Sequence, residues 1–139
     1  MKYLVLIISI IVFSGCNNSK LTETPDSQFY GVWKLVDRGM LENIEIDLSK
    51  DKNGNFTGVV TKINDDKYVK MFMEVGDKLI TGIKRKSNFE FVISEKKIAA
   101  PLFSTYGQST LTEFIVTFEN KNKILIGDNG THGKFLRIK

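Results

Sequence analysis

From residue 29 onward, apolar and polar residues alternate with a period of two. Ile44, Ile46 and Leu48 alternate with Glu45 and Asp47. Val69, Met71, Met73 and Val75 alternate with Lys70 and Glu74, with Phe72 falling on the polar side. Phe89, Phe91 and Ile93 alternate with Glu90 and Ser94, and Phe114, Val116 and Phe118 with Glu113, Thr117 and Glu119. Successive side chains of a strand point to opposite faces, so this is the pattern of half-buried antiparallel strands. Turn-forming residues punctuate it at Asn53-Gly54, Asn64-Asp65-Asp66, Gly76-Asp77, Ser87-Asn88, Glu119-Asn120-Lys121-Asn122 and Asp128-Asn129-Gly130, which suits tight hairpins. The pattern predicts strands over 30–37, 43–49, 56–63, 67–75, 78–85, 88–94, 111–119, 122–127 and 132–138. No segment carries a helical stripe. The stretch 95–110 is the least regular; Ile98-Ala99-Ala100-Pro101 can start a further strand, which Pro101 would place at an edge or bulge.

Short connections make consecutive strands neighbours, which is a meander. A meander of about eight to ten strands with one apolar face buries that face by closing into a barrel, and closure removes the exposed edges. The predicted fold is therefore an all-β antiparallel meander closed as a barrel, with a two-sheet sandwich as the alternative.

The N-terminus follows another rule. Met1-Lys2 is a short positive start, and Tyr3 to Phe13 (YLVLIISIIVF) is an apolar run too short for a membrane span of roughly 20 residues. Small residues follow, then the chain's single cysteine: Val12-Phe13-Ser14-Gly15-Cys16. This resembles the lipobox of bacterial lipoproteins, with Phe13 in place of the favoured Leu. The resemblance implies cleavage before Cys16 and acylation of that residue by long chains such as palmitate. At about 0.8 kcal/mol per buried methylene, two or three chains anchor stably where one does not. A lone cysteine forms no internal disulfide and is a liability in an oxidising compartment unless modified; the competing reading is an ordinary secretory signal that ends beside a cysteine. Asn17 to Gln28 is polar and reads as a flexible tether. The predicted organisation is a signal segment over 1–15, lipidated Cys16 with its tether over 16–28, and a barrel domain over 29–139.

Phe29-Tyr30-Gly31-Val32-Trp33 opens the domain and Phe135-Leu136-Arg137-Ile138-Lys139 closes it. This pairing resembles the lipocalin-like domains of the calycin superfamily, in which Gly-x-Trp stands on the first strand and an Arg of the last strand packs on the Trp. The middle motifs of that family are not visible here. The resemblance implies that Gly31, Trp33 and Arg137 form the fold signature, with Trp33 plugging one end of the barrel under Arg137. The competing reading makes Trp33 a core aromatic and Arg137 a surface charge.

Composition narrows the chemistry. The chain has 139 residues, one His, one Cys and a net charge of +4, with basic residues scattered along it, so it carries no nucleic-acid footprint. A zinc site needs three or four converging ligands; His132 alone does not supply them, and no Ser–His–acid arrangement can be placed. No cofactor and no catalytic residue is expected, and the chain is not read as an enzyme. Gly127 to Lys134 imitates a phosphate loop, but the glycine spacing is too long and Phe135 stands where Ser or Thr belongs. Asp51-Lys52-Asn53-Gly54-Asn55 imitates a calcium loop, with a misplaced glycine and Lys62 in place of the closing Glu. Asn55-Phe56-Thr57 and Asn129-Gly130-Thr131 match the glycosylation sequon but read as turns and strands. Asp65-Asp66 reads as a turn. Lys84-Arg85-Lys86 with Lys96-Lys97 can form a basic edge around one hairpin, although a solvated hairpin end is the preferred reading.

Two functions fit. In the first, the barrel binds a small apolar ligand lined by Ile46, Met71, Met73, Phe91, Phe114 and Val116, because inward Met and Phe make an adaptable wall. In the second, the interior is filled and the domain is a protein-interaction or inhibitor module of the cell envelope. Phe103 and Tyr106, in the loop from Ala99 to Gln108, are the place to look, since exposed aromatics mark binding surfaces. The partners implied are a membrane through the lipid anchor and a small apolar ligand or an envelope protein. Asn17 rather than Asp after Cys16 points, by the enterobacterial sorting rule, to the outer membrane.

Overall fold

A computed structural model describes residues 23–139; the expected signal segment, Cys16 and the first part of the expected tether lie outside them. The described chain is an all-β, eight-stranded antiparallel meander closed into a barrel. Its strands are β1 (Gly31–Val36), β2 (Glu45–Lys50), β3 (Phe56–Lys62), β4 (Lys78–Arg85), β5 (Glu90–Lys96), β6 (Leu111–Asn120), β7 (Lys123–Ile126) and β8 (Lys134–Arg137). Each pairs with its successor, and β8 seals against β1 through Trp33–Arg137, Lys34–Leu136, Leu35–Phe135 and Val36–Lys134. The inward positions Trp33, Leu35, Ile46, Leu48, Val60, Ile80, Phe91, Ile93, Val116, Ile124, Ile126 and Phe135 form one continuous core. The period-two apolar positions of the sequence supply most of this core.

Two predictions fail. The expected strand over 67–75 is a short helix, α1 (Lys67–Phe72). Val69, Phe72 and Met73 satisfy the i, i+3, i+4 spacing of a helix face as well as part of the period-two pattern, and six residues are too few to separate the two. The deciding feature is Asp66. Its side chain accepts hydrogen bonds from the Tyr68 and Val69 amides at 2.8 and 3.1 Å, which makes it an N-cap rather than a hairpin residue. The stretch at Pro101 is not an edge strand but the start of a second helix, α2 (Ala100–Thr105). Proline suits the first helical turn, where its missing amide has no intrahelical partner.

The connections divide by end. Hairpins 51–55, 86–89 and 121–122 close one end, where the chain also enters. The connections 37–44, 63–77, 97–110 and 127–133 lie at the other end and hold both helices and two 3-10 turns. Residues 23–28, expected to belong to a flexible tether, are held to the barrel. The Thr24 amide donates to the Asn88 carbonyl at 3.0 Å, and Asp26–Phe29 forms a 3-10 turn that leads into β1.

Candidate functional site

At the closed end, Phe29 is fully buried and packs edge-on to Phe56, Phe91 and Phe118 at 5.7, 4.8 and 4.7 Å between ring centroids. The Trp33 indole Nε1–H donates to the Phe29 carbonyl at 2.8 Å. Arg137 lies over the Trp33 ring, 4.2 Å from its centroid, and its guanidinium donates to the carbonyls of Tyr30, Gln28 and Lys121. Gly31 has φ of +124°, and a Cβ there would run into the Lys139 carbonyl oxygen and come within 2.8 Å of Arg137 Nη1. The glycine of Gly-x-Trp is thus required by the close passage of the last strand, in a conformation that L side chains rarely adopt.

The six residues expected to line a ligand cavity separate. Ile46, Phe91 and Val116 are buried in the core among Trp33, Phe29 and Phe135. Met73 is buried beneath the end of α1 and borders surface recesses instead. Phe114 is half-buried at the mouth, between Arg38 and His132. Met71 is 67% exposed, because the helix that replaces the expected strand turns it outward. The interior positions are occupied by side chains that pack on one another, as small eight-stranded barrels allow.

A cleft with a largely apolar wall lies at the loop end. It measures about 400 Å³ and is walled by Met40, Leu41, Ile98, Ala99 and Phe103, with Lys96, Lys97 and Thr112 beside them and Arg38 and Glu95 lining it. The ammonium of Lys97 sits 4.5 Å from the Phe103 ring centroid. Arg38 Nη2 donates to both carboxylate oxygens of Glu95 at 2.6 Å, with both side chains under 10% exposed. Arg38 Nη1 donates to the His132 carbonyl at 2.9 Å, the guanidinium stands 5.1 Å from the Phe114 centroid, and Arg38 Nε is buried with no hydrogen-bond partner among the described residues. One side chain therefore ties the β1–β2 connection to the end of β5 and to the β7–β8 connection. Burial pushes the Glu95 carboxyl above its ordinary range, and the attraction of Arg38 offsets this only in part; loss of hydration dominates when a carboxylate leaves water.

The sequence prediction singled out the loop that carries Phe103, which lines this cleft, and Tyr106, which stands 79% exposed in the same connection. It missed Arg38 and Glu95. The signal for Glu95 was present, since Phe91, Ile93 and Glu95 fall on the same inward phase of β5. The basic edge does not form: Lys84 and Arg85 end β4 and Lys86 follows them at the closed end, whereas Lys96 ends β5 and Lys97 follows it at the loop end. Arg85 is committed to Glu23 and Asp26 at 3.1 and 2.5 Å. Among the described residues no group of three His, Cys, Asp or Glu side chains converges to hold a metal ion. Comparison with models of known protein families, with curated proteins and with solved structures finds no match.

Proposed function

We propose that the chain is a lipid-anchored interaction module of the bacterial cell envelope, exported, cut before Cys16, held at the outer membrane by acyl chains on that residue, and binding a partner protein through the loop end of a filled barrel. The observation that carries this reading is the Arg38–Glu95 pair in an apolar-walled cleft. Replacing a buried ion pair by apolar side chains is often neutral or stabilising, so a pair kept beside solvent-reachable apolar surface has a use other than stability. Met40, Met71, Leu102 and Tyr106, each at least half exposed, stand around this end, and such groupings mark interaction surfaces. The filled interior favours this reading over a ligand held inside the barrel.

Two measurements test it. The mass of the protein extracted from membranes should lack residues 1–15 and carry acyl chains on Cys16; an unmodified thiol there ends the anchoring part. A photoreactive residue at Leu102 of the full chain, in its native envelope, should give one discrete protein adduct that a probe at Asp47 on the barrel wall does not. Equal labelling from both positions, or a stoichiometric small molecule in native mass spectra with no adduct, overturns the interaction part.

A further inference from the structure

We propose that the closed end of the barrel is a contact surface for anionic lipid headgroups, lying against the bilayer that holds Cys16. This rests on the reading of Cys16 as an acylated anchor. The first argument is chain length. Glu23 to Phe29 is fixed to the closed end, by Arg85 binding Glu23 at 3.1 Å, Asp26 at 2.5 Å and the Thr24 carbonyl at 2.6 Å. Only residues 17–22 separate that fixed segment from Cys16, and a fully extended chain of this length reaches about 25 Å at most. The closed end therefore stays near the surface in which the acyl chains sit.

The second argument is charge. Lys52, Lys86 and Lys121 sit in the three hairpins of this end, with Lys84 beside them, all exposed. None of the four forms an ion pair among the described residues. The acids nearby are turned elsewhere: Glu23 and Asp26 to Arg85, Glu119 to Lys123, Asp51 to the amides of Asn53 and Asn55, and Glu90 to the Ser87 hydroxyl. Three hairpins thus present uncompensated ammonium groups in one direction. At the loop end Lys62, Lys70 and Lys134 each meet a carboxylate, while Lys67 and Lys97 lie over the rings of Tyr68 and Phe103. Lys78 and Lys96 form no ion pair among the described residues, so the closed end is set apart by unpaired lysines in three adjacent hairpins rather than by unpaired lysines as such. Phe89, 54% exposed, stands in the hairpin with Lys86, and Tyr30 and Ile138 are exposed close by. Aromatic and aliphatic side chains among lysines suit the headgroup layer, where basic residues are drawn to anionic lipid. One lipid signal supplemented by a basic patch is a known route to firm anchoring.

The test uses the acylated protein in phosphatidylethanolamine vesicles with and without phosphatidylglycerol. Acylation leaves no other thiol, so Asn88→Cys at the closed end and Ser104→Cys on α2 each take a single fluorophore. A headgroup spin label should quench the probe at position 88 several-fold more than the probe at 104, and only when phosphatidylglycerol is present. Combining Lys52→Glu, Lys86→Glu and Lys121→Glu should bring quenching at 88 down to the level at 104, with an unchanged urea midpoint showing that the fold is intact. Equal quenching at both ends, or quenching at 88 that ignores lipid charge and the three substitutions, overturns the proposal and leaves the tether as the sole attachment. An unacylated Cys16 in the extracted protein instead overturns the anchoring reading, and this orientation with it.

Discussion

At the closed end of the barrel, Phe29, Phe56, Phe91, Phe118 and Trp33 fill the space beneath hairpins 51–55, 86–89 and 121–122, and Arg137 lies over the indole. At the loop end, four longer connections are held by polar devices: the Asp66 cap, the Asn64 side chain donating to the carbonyls of Met40 and Glu42, and the Arg38–Glu95 pair. Their apolar side chains, Met40, Met71, Leu102 and Tyr106, are left facing water. Aromatic burial is insensitive to salt and pH and fixes one end firmly. Polar ties across long connections hold a shape while leaving apolar atoms exposed. On the proposed function, stability is concentrated at the closed end and partner-protein binding at the loop end.

The division is tested first where the largest loss is expected. Phe29→Ala removes a ring that touches three others and empties the closed end, and should cost about 3–5 kcal/mol of stability, read from the urea midpoint. Adduct formation from Leu102 should persist wherever the variant is folded. Loss of the adduct from the folded protein would show that the ends are coupled rather than divided.

At the loop end the expectation differs in kind. Glu95→Leu leaves the Arg38 guanidinium buried without its partner and should destabilise by about 3 kcal/mol or somewhat more. Adding Arg38→Met should return the protein to within about 1 kcal/mol of the parent, since the pair is replaced by apolar groups of similar bulk. If the double variant remains as unstable as the single one, the pair is a structural tie like the closed-end cluster, and the argument for its use in recognition fails.

A smaller effect follows from the raised Glu95 carboxyl. The folded protein keeps this proton at pH values where the unfolded chain, near 4.5, has already released it. The stabilisation linked to the proton is fully present below about that pH and is lost as pH rises through the folded-state value. The parent should therefore lose stability relative to the Arg38→Met, Glu95→Leu variant as pH is raised from about 4, in urea titrations of both proteins. The opposite slope would mean that the attraction of Arg38 outweighs burial.

The two ends also differed in how far the chain announced them. The closed end was legible because its determinants are local or strictly placed: Gly31-x-Trp33 opens the first strand, Arg137 lies on the last, and alternation marks Phe91, Val116 and Phe118. The loop end was legible only in part. Lys67 to Phe72 carries too few residues for a helical period to emerge, and Asp66 serves equally as a turn residue and a helix cap. The ion pair joins Arg38, in an irregular connection, to Glu95, and nothing local to either residue names the other. Only the inward phase of Glu95 on β5 hinted that a carboxylate had been placed inside. Alternation says which side chains point inward but not what they pack on, and Ile46, Phe91 and Val116 pack in one core with Trp33, Phe29 and Phe135.

The smallest expected change in stability is at the most exposed aromatic. Tyr106 is 79% exposed, and its side chain makes no hydrogen bond among the described residues, so Tyr106→Ala should alter the stability read from urea titration by no more than about 0.5 kcal/mol. A surface tyrosine beside a cleft is also the kind of residue that dominates an interface when a partner covers it, with truncation costing more than about 1 kcal/mol, or about fivefold in occupancy. The yield of the Leu102 adduct should therefore fall at least about fivefold in Tyr106→Ala while the fold is untouched. Arg38→Met with Glu95→Leu should lower it as well if the pair takes part in recognition. An undiminished adduct in both variants would move the contact away from the cleft, to the face that carries Met71 on α1.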